Sequence, residues 1–150
     1  MANVVPYAFP VELLTGTHNF SNGGNTFKLA LYTASPYTTA STAYVTTSEV
    51  SSAGGSQYGA GGNTLTGQQL TNINNVATVD FAQTVWGTPT AATFTAAFGA
   101  IYNDTQADKL VVVLDFGGDK SCSNGTFTIT FPDPTTGTPA GTDAILSITS

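Results

Sequence analysis

Few residues in this chain are equipped for chemistry, and their types and spacing narrow it further. His18 is the only imidazole and Cys122 the only thiol. Nucleophilic catalysis would therefore have to set a Ser or Cys beside His18, the single available base. No G-x-S-x-G elbow occurs, and the polar stretch 16–24 around His18 reads as a turn with an exposed or edge histidine. Glu12, Glu49, Asp80 and Asp115 could supply a carboxylate pair for glycoside hydrolysis, yet no spacing sets two of them on facing walls of a cleft. Calcium is the one metal worth weighing, because Asn103, Asp104 and Asp108, and Asp115 with Asp119, gather oxygen donors at strand ends. The D-x-[DN]-x-[DN]-G loop is absent, and turn-capping side chains account for the same clusters. The glycine-rich stretch 54–62 lacks the Lys of a phosphate-binding loop and reads as a flexible loop. Trp86, Tyr58 and Tyr37 would stack on sugars if exposed, whereas a lone Trp beside Val85 reads as core. The expectation is a chain with no catalytic residue, no metal site and no cofactor.

Composition points the same way. Of 150 residues, 8% are charged: 3 Lys and no Arg against 9 acids, for a net charge of -6. An average domain carries roughly 25%. Three lysines cannot track a phosphate backbone, so nucleic acid is excluded as a partner, and the same deficit excludes a polybasic membrane patch. The longest apolar stretch, residues 4–11 with two prolines, is too short for a membrane span. The start of the chain shows no secretory signal, and one thiol fits assembly in a reducing cytoplasm. With 41% hydrophobic residues, including 9 Phe, 6 Tyr and 1 Trp, the chain can still fill a core. Its surface must then be built from hydroxyls and amides.

The elements that would carry these residues are short strands between Gly, Pro, Asn and Ser clusters. Residues 27–33 alternate, with Phe27, Leu29 and Leu31 on one face and Lys28, Ala30 and Tyr32 on the other. Residues 76–85 alternate less cleanly. Residues 94–102 put Phe94, Ala96, Phe98, Ala100 and Tyr102 on one side. Residues 110–116 are apolar on both faces up to Asp115, which predicts a central strand. Gly117-Gly118 and Asn124-Gly125 signal turns, so the stretch 110–131 reads as a hairpin or a pair of strands bridging two sheets. Residues 125–131 and 144–149 supply the last strands. One helix is expected at residues 10–15, with Pro10 at its start and Gly16 as its stop. Two long loops, 51–67 and 132–141, complete the layout.

The chain resembles small structural proteins encoded in the virion gene clusters of tailed bacteriophages and prophages. The likeness runs from Leu13-Leu14 and Phe27–Thr33 as read along residues 27–33, through Glu49-Val50-Ser51 and Gly61-Gly62-Asn63-Thr64-Leu65. It is clearest from Ala100-Ile101-Tyr102-Asn103-Asp104 to Asp115-Phe116-Gly117-Gly118-Asp119-Lys120 and Ser123-Asn124-Gly125-Thr126-Phe127, and ends at Ile145-Leu146. These are motifs of fold, and they carry no catalytic residue across. The loop 132–141 departs from the compact end of that family.

The expected fold is all-β, an antiparallel β-sandwich of jelly-roll type, with an N-terminal arm and short helix over residues 1–14 and one domain over 15–150. Its expected core is Phe27, Leu29, Leu31, Val79, Phe81, Phe94, Phe98, Val112, Leu114, Phe116, Phe127, Ile129 and Ile148. The resemblance implies a virion protein: a decoration or cement protein on the outer capsid surface, whose partner is the major capsid protein. A tail or adsorption component that binds glycans, and an enzyme acting on host polysaccharide, are the alternatives. Large uncharged faces suit contact between identical copies, and shell symmetry suggests a homotrimer. Val4, Val5, Tyr7, Phe9 and Val11 in the arm, and Tyr58 in the loop 51–67, are the expected partner-binding residues. The arm either adds to a neighbour's strand edge or packs on its own sandwich.

Overall fold

The computed structural model describes residues 2–133 and 144–149. Helix α1 (Ala8–Leu14) precedes strands β1 (Phe27–Tyr32), β2 (Asn63–Thr64), β3 (Gln69–Ile73), β4 (Val76–Asp80), β5 (Thr84–Trp86), β6 (Ala92–Asn103), β7 (Lys109–Gly125), β8 (Phe127–Ile129) and β9 (Leu146–Thr149). They form three sheets, ordered β2-β1-β6-β7, β3-β4-β9 and β5-β8, in which every pairing among the described strands is antiparallel. The four-stranded sheet is one layer and the two smaller sheets lie over one of its faces. Phe27 of β1 meets Phe81 after β4 at 5.8 Å between ring centroids, and Phe94 of β6 meets Phe127 of β8 at 5.0 Å. The chain is an all-β sandwich, as its alternation dictates. Sheets of four, three and two strands do not reproduce the two four-stranded sheets of a jelly roll among the described residues.

Along β1 and the halves of β6 and β7 paired nearest it, the four-stranded sheet is buried on both faces, which explains its unusual strands. From Gly117 onward, β7 is largely exposed. Phe27, Leu29 and Leu31 enter the main core, while Ala30 and Tyr32 enter a second cluster with Tyr37, Ala100, Tyr102, Leu110 and Val113. Tyr37 and Tyr44, in the segment 33–62, cover that second face, while Val50 and Tyr58 of the same segment reach the main core. The backbone of this segment is pinned by bonds such as Thr33 N to the Ser48 carbonyl and Val50 N to the Leu31 carbonyl.

Several expectations change. The apolar run 110–116 lies in β7, the last strand of its sheet rather than a central one. It reads as central because its outer edge is capped by other chain: Val4 exchanges two backbone hydrogen bonds with Val113, and Ala43 bridges Lys109. Gly117-Gly118 is not a hairpin turn. β7 runs through it, and between the pairs Ala96–Lys120 and Phe98–Asp115 it accommodates extra residues as a bulge, with Gly117 and Gly118 at positive φ. The residues of β6 change side opposite that bulge, so Phe94 and Ala96 face the main core while Phe98, Ala100 and Tyr102 face the second cluster. The helix starts at Ala8, two residues before Pro10, whose missing N–H falls in the first turn where no intrahelical bond is due. Gly16, at φ 74, closes it by donating its N–H to the Leu13 carbonyl. Ile148, expected in the core, is 58% exposed. The loop 132–141 lies outside the described residues from 134 onward.

Candidate functional site

The inner face of the sheet β3-β4-β9 is an apolar face that its cover does not close; a second open groove, about 590 Å³, lies beside Leu114, Phe116, Ile129 and Phe131. Register places Leu70, Val79 and Leu146 in one cross-strand row, and Ala77 with Ile148 in the next. Helix α1, two turns long, lies across this face and buries Phe9 against it. A groove of about 360 Å³ remains, lined by Val5, Phe9, Leu13, Phe20, Val79 and Leu146 and flanked by Leu70 and Ile148. Leu70 is 57% exposed, and on the outer side of the helix Leu14 is 89% exposed. Val5, Tyr7, Val11, Leu14, Leu70 and Ile148 belong to the arm or line this groove, and Val45 is the other large apolar side chain left exposed among the described residues. An apolar concentration of this kind on a surface otherwise built from hydroxyls is the candidate for an interaction site.

Polar bonds fix the helix at the groove wall. The Glu12 carboxylate accepts from Lys109 Nζ through Oε1 and from His18 Nε2 through Oε2, the latter at 3.0 Å. His18 Nδ1 accepts from the Asn103 amide at 3.0 Å, and that amide also reaches Asn25 Oδ1. The histidine is buried against Phe9, Phe20 and Phe27, contrary to the exposed or edge position expected. Burial pushes its pKa below the ordinary value, although Glu12 pulls the other way. Burial also works against the Glu12 carboxylate, but the bonds from Lys109 and His18 outweigh it and hold its pKa below the ordinary value. With both ring nitrogens engaged, His18 has no free position from which to take a proton from a nucleophile. It ties α1 to β6, and Glu12 ties α1 to β7 through Lys109.

The partner-binding residues expected from sequence divide into three groups. Val5, Tyr7 and Val11 are exposed at the groove and on its helix. Val4 and Phe9 are used internally, in the bridge to Val113 and in the core. The arm packs on its own sandwich. Tyr58 is 2% exposed, and its hydroxyl donates to Glu49 Oε1 and accepts from Leu31 N, so it offers nothing to a partner. Leu14, Leu70 and Ile148 were missed as surface residues. Leu70 sits in a weak stretch between turn residues, and nothing local marks that strand as an edge.

The other chemical candidates do not assemble. Trp86 and Tyr37 are buried along with Tyr58, leaving no flat aromatic platform for a sugar among these three. Asp104 faces Lys28 Nζ at 2.9 Å. Asp115 accepts from Gly117 N within the bulge. Among the described residues no three metal-ligating side chains gather, and no helix is long and apolar enough to cross a membrane. Glu49 accepts from Tyr58 and Gly61 N at Oε1 and from Tyr44 at Oε2, which spends its carboxylate on structure. Comparison of the chain with family models, with curated proteins and with solved structures finds no match.

Proposed function

We propose that this chain is a non-enzymatic structural protein of a bacteriophage particle, a decoration protein that docks on the outside of the major capsid shell through helix α1 and the groove beside it. The observation that carries docking is the concentration of exposed apolar side chains at that one end of the molecule. The particle is supported by the resemblance of the chain to small virion proteins. An acidic, Arg-free surface also suits the exterior of a shell better than its genome-facing interior, since it neither seeks nor tolerates packaged phosphate. In such a role, the protein bridges neighbouring capsid subunits and raises the barrier to their separation. Its contacts must be apolar and hydroxyl-mediated, because the face carries no unpaired cation or carboxylate to desolvate.

Quantitative analysis of purified particles tests this reading. A copy number comparable with that of the major capsid protein is expected, and binding of the purified chain to undecorated heads is expected to fall when Val11 or Leu14 is replaced by Lys. A copy number suited only to a tail, or binding indifferent to both substitutions, overturns it.

A further inference from the structure

The same end of the molecule holds an unguarded strand edge. β3 is the outermost strand of β3-β4-β9, and among the described residues β4 is its only strand neighbour. Natural edge strands are protected from pairing by Lys, Pro, bulges, a covering loop or very short length. The other layer uses such devices: Val4 and Ala43 cap the outer edge of β7, and β2 on the opposite side has two residues. Among the described residues, β3 uses none of them. Its sequence, Gln-Leu-Thr-Asn-Ile, contains neither charge nor proline, and it pairs from Gln69–Asp80 to Ile73–Val76 without a break in register. Residues 69–72 are exposed. The loop at Ser21 reaches the approach to the strand, where the Gln68 amide donates to the Ser21 carbonyl, but no backbone bond joins that loop to β3.

We propose that the chain forms a two-fold dimer by antiparallel pairing of β3 with β3 of a second copy. Charge selects that occupant. The protein carries a net charge of -6, so two copies meeting at a surface that bears its acids oppose their carboxylates. Residues 50–79, which contain all of β3 and most of β4, hold no charged side chain. An identical copy therefore meets no like charge along this edge, while a basic partner finds no carboxylate on β3 to attract it. Backbone hydrogen bonds supply the contact, and Gln69, Thr71 and Asn72 add cross-strand polar pairs. The two-fold axis stands perpendicular to the joined sheet, so both copies show the same face to the same side. Leu70 of each copy lies on that face, and the pair shelter one another in a six-stranded sheet ordered β9-β4-β3-β3-β4-β9. Both grooves then open in one direction. On the docking reading proposed above, on which this step alone rests, the dimer presents two grooves to one shell and gains by avidity.

Light scattering and sedimentation of the purified full chain test the dimer without any particle. A concentration-dependent dimer is expected, with β3 amides gaining protection from hydrogen exchange as concentration rises. Leu70→Lys is expected to weaken it by about tenfold or more, with an unchanged strand spectrum in circular dichroism. Should that variant misfold, Asn72→Lys on the same exposed edge replaces it. A chain that stays monomeric, forms the trimer suggested by shell symmetry, or dimerises without protecting β3 overturns the proposal. A chain that dimerises in this way but ignores capsids overturns the docking function and leaves the dimer standing; a monomer that decorates capsids does the reverse.

Discussion

Two covers lie over two apolar surfaces in this protein, and they are finished differently. The segment 33–62 covers the outer face of the four-stranded sheet with Tyr37 and Tyr44 and reaches the main core with Val50 and Tyr58, and hydroxyls lock that cover down. Tyr32 bonds Tyr37 at 2.6 Å and the Val45 carbonyl at 2.8 Å; Tyr44 and Tyr58 bond Glu49; Tyr102 bonds the Gly61 carbonyl. Tyr32, Tyr37, Tyr58 and Tyr102 thus tie loop to sheet, and Tyr44 ties the loop to itself. Helix α1 covers the inner face of the three-stranded sheet with Phe9 and Leu13, is tied through Glu12, and leaves apolar surface open on either side. A chain almost without charge can close a surface with phenols, each supplying apolar area and one hydrogen bond. Where it does not, as beside α1, apolar surface is left open.

That difference is sharpest at Glu49. Replacing it with Ala strands the Tyr44 and Tyr58 hydroxyls and the Gly61 N–H, donors that have no other acceptor in their bonds to the carboxylate. The expected loss is about 3 kcal/mol of unfolding free energy, since hydrogen bonds to a charged group are among the stronger ones and their unmet partners are costly. Urea unfolding measures it. A loss no greater than that of an ordinary surface substitution would show that the phenols do not hold this cover.

Alkaline titration probes the same cover as a whole. Burial raises the pKa of Tyr32, Tyr37, Tyr44, Tyr58 and Tyr102 above the ordinary 10.0, with bonds to Glu49 adding to the effect at Tyr44 and Tyr58. The folded chain keeps protons that the unfolded chain releases, so stability is intact below that value and declines as pH rises beyond it. Phenolate absorbance from these five should emerge together with loss of the strand signal. Gradual ionisation of the five in a chain that keeps its strands would contradict the network.

How much of this was legible in the sequence depends on the distance between partners. Alternation in residues 27–33 located β1 and both its faces, because a strand carries its own period. Gly16 located the end of α1. The bulge at Gly117-Gly118 was misread as a turn, since glycine at positive φ serves either and only the pairing with β6 decides. His18 looked like a turn residue because the Asn103 that bonds its ring is 85 residues away, and nothing local shows that Phe9, Phe20 and Phe27 close over it. Tyr58 sat among glycines that suggested a free loop, and its anchors Leu31 and Glu49 are equally invisible locally. Of the site, the apolar arm was readable from Val5, Tyr7 and Val11, whereas the groove that makes it a surface needed the register of three strands.

Acid tests the tie on the helix side. His18 is held below its ordinary 6.5, so between that value and its folded pKa the unfolded chain binds a proton the folded chain refuses. Stability is full above about 6.5 and declines as pH falls below it. Glu12, also lowered, acts in the same direction at more acid pH, its stabilising charge being lost as pH falls through its folded pKa. Glu12→Gln should remove the latter part of the decline. Stability that stays level from neutral pH to well below 6.5 would mean that His18 protonates without loosening α1.

The smallest expected effect on stability bears on function most directly. Val11 and Leu14 project from α1 into solvent, so Lys at either position removes little buried area and puts no charge into the core. Lys in place of Leu14 also sits near the helix C-terminus, where a cation is favourable by a few tenths of a kcal/mol. Thermal or urea unfolding should therefore change by less than about 0.5 kcal/mol, as for other surface substitutions. A side chain kept apolar for the fold would behave otherwise, because its loss would register in unfolding as Glu49→Ala does. If Leu14→Lys costs stability on that scale, the outer side of α1 is part of the core's own support, and the contrast between a closed face and an open one disappears. If it costs nothing and abolishes attachment to heads, the apolar surface of α1 serves a partner and not the fold.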